Sequence, residues 1–306
     1  MKKTLTRFLL LLPLSGFAQS TINEAEYQSM QQEYRKGTIG KEALLSLVLT
    51  ENELRKDSSA LNLAKAYKSR YIDRTAPKDA LSPGLRLYLA FFNKIFTTKD
   101  PLFSYMETKS VQSDSLIGDP GFSRWFTGRV IFYDLIRPQA FMNSKPLQHP
   151  ADWSVLEKQL SDRYGADRIP KLVFEAKSNW YKETGDWTNY INSHMDRLER
   201  EGVETTGNGA AFLNDFIYGT VFYHSSDKNV LNKCAGYMEK VVDADPNRYT
   251  RIDTYSCILY KLGKKDKAIA IEEKAVILAK DKNDWASVKE YEEKIKKMKN
   301  DQPTWL

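Results

Sequence analysis

Histidine and cysteine are both scarce in this chain of 306 residues, which has three of the first and two of the second. His149, His194 and His224 lie in different segments, and none has a partner at metal-ligand spacing. Cys234 and Cys257 are 23 residues apart, which excludes a Cys-x-x-Cys redox pair and a zinc motif. The two thiols remain open to a disulfide, if the chain is exported, or to separate burial. Sustained β-branched alternation is missing, so a sheet is not expected. The glycines are scattered at turns, and no phosphate-cradling loop occurs.

A strong excess of one charge is missing as well. There are 46 Lys+Arg against 40 Asp+Glu, a formal net charge of +6. Three of the basic residues, Lys2, Lys3 and Arg7, precede the run "FLLLLPL" and the small residues of "SGFA". That order is a secretory signal with cleavage expected after Ala18. The apolar run is too short to span a bilayer, and Gln19 stands where a lipoprotein would need cysteine. Removing the leader leaves +3, too little to point to nucleic acid. The other charges alternate in sign, as in "KEYEEKIKKMK", the pattern of solvated helix faces.

What remains reads as helix. "INEAEYQSMQQEYRKG", "IGKEALLSLVLTENELRKD" and "SALNLAKAYKSRYIDR" carry apolar residues at helical spacing. "TAPKDALSPG" is a connector. "LRLYLAFFNKIFTT" and "DPLFSYMETKSVQ" follow as helices, the second with Asp100 as N-cap before Pro101. The fold class expected is all-α, built from antiparallel helix pairs. Three stretches are expected: the signal over 1–18, an N-terminal helical region over 19–150, and a repeat region over 151–306.

The repeat reading rests on small residues at fixed intervals. Ala268 and Ala275 are seven apart, Gly263 lies five before Ala268, and Ser256 twelve before it. These intervals resemble those of the tetratricopeptide repeat, a helix–turn–helix unit of roughly 34 residues. Small residues let two antiparallel backbones approach, and the glycine supplies a turn where φ is positive. Helix A is expected over 252–261 and helix B over 265–279. One repeat upstream, Ala268 maps to Cys234, and Lys280 maps to Pro246 as the terminating proline. Phe222 and Asn229 depart from that unit, being large and non-glycine. A further unit is marked by Ser178 and Gly185, with Tyr190 larger than usual. The glycine-rich "GVETTGNG" separates it from the next. Together these predict an α-solenoid in the C-terminal half.

"DWSVLEKQLSDRYG", "YKETGDWTNY", "DTYSCILYKLGKKDKAIAIEEKAV" and "KIKKMKNDQPTW" resemble the helical tails of secreted bacterial thioredoxin-family proteins. The resemblance is best over 150–305 and extends weakly back to "YRKGTIGKEALLSLV". The family's thioredoxin fold and its Cys-x-x-Cys motif have no counterpart between Ala18 and Tyr34, so the resemblance carries packing residues and no redox chemistry.

Few groups suggest catalysis. His224 with Ser225 and Asp227 reads as a helix cap rather than a triad. A Cys257–His224 dyad has no more support. The pairs Glu272–Glu273 and Glu292–Glu293 read as surface charge. The segment "RWFTGRVIFYDLIRPQAF" carries Trp125, Phe126, Phe132, Tyr133 and Phe141 with Arg124, Arg129 and Arg137. Most of these aromatics are expected in the core, with Trp125 and Tyr133 as candidates to face a ligand. The sequence therefore predicts an exported, non-catalytic protein without cofactor or metal, binding a protein or peptide. Two alternatives stand beside it: docking to a thioredoxin-fold partner in envelope thiol–disulfide metabolism, and glycan or small-ligand binding through the aromatics.

Overall fold

The computed structural model describes residues 22–305. The expected signal and its cleavage point after Ala18 lie outside the described residues. The fold is all-α; among the described residues the one sheet is a hairpin of two-residue strands. The chain divides into two compact units between Leu135 and Ile136.

The first unit holds α1 (Glu24–Lys36), α2 (Lys41–Glu53), α3 (Asp57–Tyr67), α4 (Pro77–Ala80), α5 (Arg86–Phe92), α6 (Pro101–Thr108), α7 (Ser110–Ile117) and α8 (Phe122–Ile131). A reciprocal capping box starts α1: Glu26 N–H donates to the Asn23 side chain and Asn23 N–H to the Glu26 carboxylate, each at 3.0 Å. Gly37, with φ 76°, ends it in the left-handed conformation. The helix expected over "IGKEALLSLVLTENELRKD" is α2, and the one over "SALNLAKAYKSRYIDR" is α3; Arg55, at φ 57°, turns the chain between them. Pro101 opens α6, yet Asp100 does not cap it; its carboxylate accepts Thr97 N–H at 2.8 Å and pairs with Lys68 at 3.0 Å. The core is an aromatic ladder. Tyr67 and Tyr88 rings lie 5.0 Å apart, and Phe96 meets Phe126 edge-on at 5.2 Å. The buried Tyr88 hydroxyl donates to Ala64 O at 2.7 Å.

The second unit holds α9 (Trp153–Tyr164), α10 (Ile169–Thr184), α11 (Trp187–Glu201), α12 (Gly207–Phe216), α13 (Phe222–His224), α14 (Lys228–Ala244), α15 (Tyr249–Lys261), α16 (Lys265–Asp281) and α17 (Trp285–Lys299). The hairpin Phe141–Met142/Lys145–Pro146 precedes them, turning through Asn143 and Ser144, both at positive φ. The Trp180 indole ties this stretch to α10 by donating to Leu147 O at 2.8 Å. Aspartate N-caps set the helix starts. Asp152 accepts Ser154 N–H at 2.9 Å, Asp186 accepts Asn189 N–H at 3.1 Å, Asp227 accepts Asn229 N–H at 2.7 Å, and Asp284 accepts Ser287 N–H at 3.2 Å.

Successive helices of this unit pack on one another through short turns. Gly185, at φ 73°, turns α10 into α11, and Gly263, at φ 81°, turns α15 into α16. Asn283, at φ 57°, makes the next turn into α17 without glycine. One core gathers Met195, Leu213, Phe222, Cys234, Ile258 and Ala268; another joins Ile252, Ala275, Val288 and Tyr291.

Candidate functional site

The small residues singled out by spacing fall at helix contacts of the second unit. The fully buried Ser256 hydroxyl donates to Ala268 O at 2.8 Å, so α15 and α16 meet through a hydroxyl and a backbone carbonyl. Ala275 is fully buried among Ile252, Val288 and Tyr291. The Cys234 thiol lies 3.9 Å from Met195 Sδ, and Pro246 sits exposed beyond the end of α14. Cys234 and Cys257 are separate, buried thiols. Burial pushes the Cys234 thiol up to about 12, and burial with the nearby Asp253 charge raises Cys257 well above the ordinary value. Neither is poised as a thiolate.

The Ser178–His194 pair carries information that spacing did not. Ser178 Oγ lies 2.9 Å from His194 Nε2, joining α10 to α11. The imidazole sits in an aromatic box, with ring centroids 4.5 Å from Tyr190, 5.0 Å from Phe174 and 5.0 Å from Phe216. Burial, with Arg197 nearby, depresses the His194 pKa to about 4, so the ring is neutral at neutral pH. His194 forms the inner end of a cavity of about 440 Å³ between the end of α11, the 202–206 loop and the start of α12. Leu198, Val203 and Leu213 supply apolar wall, and Phe212, 51 % exposed, stands at the mouth. At the rim Arg197 Nε donates to Glu201 at 2.8 Å, while its guanidinium covers the Phe174 ring at 5.1 Å. A neutral, aromatic-walled cavity with a few converging polar groups is the form ligand sites take. No sequence signal marks it: only the fold brings Phe212 and His194 beside the 202–206 loop.

A second polar cluster lies between α15, α16 and α17. Lys294 Nζ bonds Asp253 Oδ1 at 2.6 Å, Glu290 at 2.8 Å and the Tyr218 hydroxyl at 3.1 Å. Glu272 is fully buried, which corrects its reading as surface charge: α16 turns it inward toward Asp253, while Glu273 stays outside with Lys299 at 3.4 Å. Burial and the Asp253 charge push the Glu272 carboxyl well above the carboxylate range. Burial works against the Lys294 ammonium, but Cys257 and Asp253 outweigh it and hold its pKa above the ordinary value. All three Nζ protons have partners, whereas neither buried Glu272 carboxyl oxygen has one, and Tyr218, Glu290 and Lys294 also line an open cavity of about 580 Å³.

The other candidates are dispersed. His224 is exposed and stacks on Trp187 at 4.1 Å; Ser225 Oγ accepts Asp227 N–H at 3.2 Å, and Asp227 caps α14. His149 belongs to neither group. In the first unit Phe126 and Phe132 are core, whereas Trp125 is 45 % exposed and Tyr133 half-buried under Arg129. Trp125 leans on Phe122 at 5.4 Å beside the Arg86–Asp119 pair, along a shallow shelf of about 360 Å³. Phe141, in the second unit, is buried beneath Arg137. Among the described residues, no group of three or more His, Cys, Asp or Glu is placed to hold a metal ion. No helix among them is long and apolar enough to cross a membrane. No family model and no curated protein matches the chain.

Proposed function

We propose that this chain is an exported, non-catalytic interaction protein whose second unit binds a protein or peptide. The observation that carries this reading is the succession of helix pairs in that unit, drawn together at Ser178–His194 and Ser256–Ala268 and turned at Gly185 and Gly263. Helices stacked this way bury one face each and leave the other face as an extended surface. The tetratricopeptide-like register and the likeness to helical tails of secreted thioredoxin-family proteins are consistent with that use. The polar groups that could suggest chemistry are committed elsewhere: Asp227 to a cap, Lys294 to three partners, the thiols to burial.

Selection of random peptides on the purified chain tests the reading. Enrichment of related sequences, with binding weakened by Phe212→Ala, is the expected result. Absence of enrichment, or binding indifferent to every exposed position of the second unit, would reject it. Exposure of Trp125 beside an Arg–Asp pair favours a second reading, glycan binding at the first unit, which an oligosaccharide titration followed by tryptophan fluorescence would reveal.

A further inference from the structure

A cleft between α1, α2 and α3 in the first unit holds a carboxylate that the fold serves on one side only. Each helix turns one face to it through residues four apart: Gln31 and Arg35 from α1, Leu47 and Glu51 from α2, Ser59 and Leu63 from α3. The cavity they enclose is about 380 Å³. Leu47, Glu51 and Leu63 are buried and make its floor, while Arg35 and Ser59 are exposed at its rim. Glu51 is 2 % exposed, and its two oxygens differ. Oε1 accepts the Tyr27 hydroxyl at 2.6 Å and Gln31 Nε2 at 3.0 Å, with Lys56 Nζ at 3.9 Å. Oε2 is buried and accepts no hydrogen bond. Burial works against the charge, but Tyr27, Gln31, Lys56 and Ser59 outweigh it and hold the carboxyl below its ordinary value, so it is ionised at neutral pH. A buried carboxylate oxygen without a donor is costly, and a bound donor relieves that cost.

The charges around the cleft decide which donor fits. Lys56 lies beside Glu51, Arg35 stands at the rim with no acidic partner among the described residues, and Arg70 covers the Tyr34 ring at 5.5 Å. A simple cation would meet three positive groups, and a simple anion would meet Glu51. A molecule carrying an ammonium and a carboxylate on one carbon answers both. We propose that this cleft binds a free α-amino acid with an apolar side chain. The α-ammonium donates to Glu51 Oε2, the carboxylate lies at the rim against the Arg35 guanidinium, and the side chain covers Leu47 and Leu63. Hydrogen bonds between charged partners are the strong ones, and a guanidinium matches a carboxylate in shape. The site lies in the first unit and stands apart from the polypeptide-binding reading of the second.

The test titrates the full chain with L-leucine and follows backbone amides by NMR. Saturable shifts at Gln31, Arg35, Glu51 and Ser59 are expected. N-acetyl-leucine, which has no ammonium, and leucinamide, which has no carboxylate, should each bind at least about tenfold more weakly. Arg35→Gln, at an exposed position and with a spectrum otherwise unchanged, should weaken leucine about tenfold and leave leucinamide as it was. No saturable shift with leucine, shifts centred outside α1–α3, N-acetyl-leucine binding as tightly as leucine, or a leucine affinity unchanged in Arg35→Gln overturns the proposal. Leucinamide binding as tightly as leucine overturns it too, because the cleft would then suit the first residue of a polypeptide and not a free amino acid. Peptide selection on the second unit succeeds or fails independently of these outcomes.

Discussion

Glu272→Gln removes a proton and almost nothing else. The side chain is fully buried, near Asp253 and within the α15–α16–α17 contact, and amide and carboxyl have nearly the same shape. Burial and the Asp253 charge raise the folded-state pKa above the ordinary 4.5, so the folded chain keeps a proton that the unfolded chain has lost. A raised folded pKa gives stability that is complete below the unfolded value and is lost as pH climbs toward the folded one. While the folded carboxyl stays protonated, that loss runs at about 1.4 kcal/mol per pH unit. Other groups titrate over the same range, and taking the variant minus the wild type cancels them. Urea unfolding of both proteins at pH 5, 6, 7 and 8 gives the two stability curves. The variant should gain on the wild type steadily as pH rises, with unchanged dependence on urea. Parallel curves would show that Glu272 is ionised in the fold, and the account of the cluster would fail.

His194 titrates with the opposite sign. Its pKa is depressed to about 4, so its contribution is present above pH 6.5 and is lost on acidification, by about 3 kcal/mol by pH 4; His194→Gln should flatten the acid limb of the unfolding curve. Ser178→Ala leaves the imidazole nitrogen without its partner and should cost about 1–3 kcal/mol in thermal melts. Ala268→Leu should overpack the contact beneath Ser256 by about 1–3 kcal/mol, whereas Lys264→Leu, on the exposed turn, should stay within about 0.5 kcal/mol. In the first unit, Tyr27→Phe removes a 2.6 Å donor from the buried Glu51 carboxylate and should lower the urea midpoint by the equivalent of about 1–3 kcal/mol.

Helices were legible in the sequence because apolar spacing and turn chemistry agree. Gly263 closes α15 at positive φ, so the helices expected over 252–261 and 265–279 fall within three residues of α15 and α16. The widened turns at Lys68–Ile72, Phe132–Ile136 and Ile217–Val221 could not be placed, since an extra residue per turn leaves no compositional mark. The last of them precedes Phe222, a large residue where the repeat pattern asks for a small one, and the ring is fully buried. Glu272 looked solvated because charged neighbours surround it in sequence; its burial depends on which face of α16 meets α15 and α17. The His194 cavity was hidden for a related reason. Ser178 and His194 are on different helices, and Glu204 reaches the rim only because glycine occupies position 209.

The most direct measurement is photo-crosslinking from the second unit in living cells. A photoreactive amino acid replaces Phe212 in one variant and Val111, 82 % exposed in the first unit, in another. The account predicts a discrete polypeptide adduct from position 212 that is absent from position 111. No adduct at 212, or the same adduct from both positions, would contradict it.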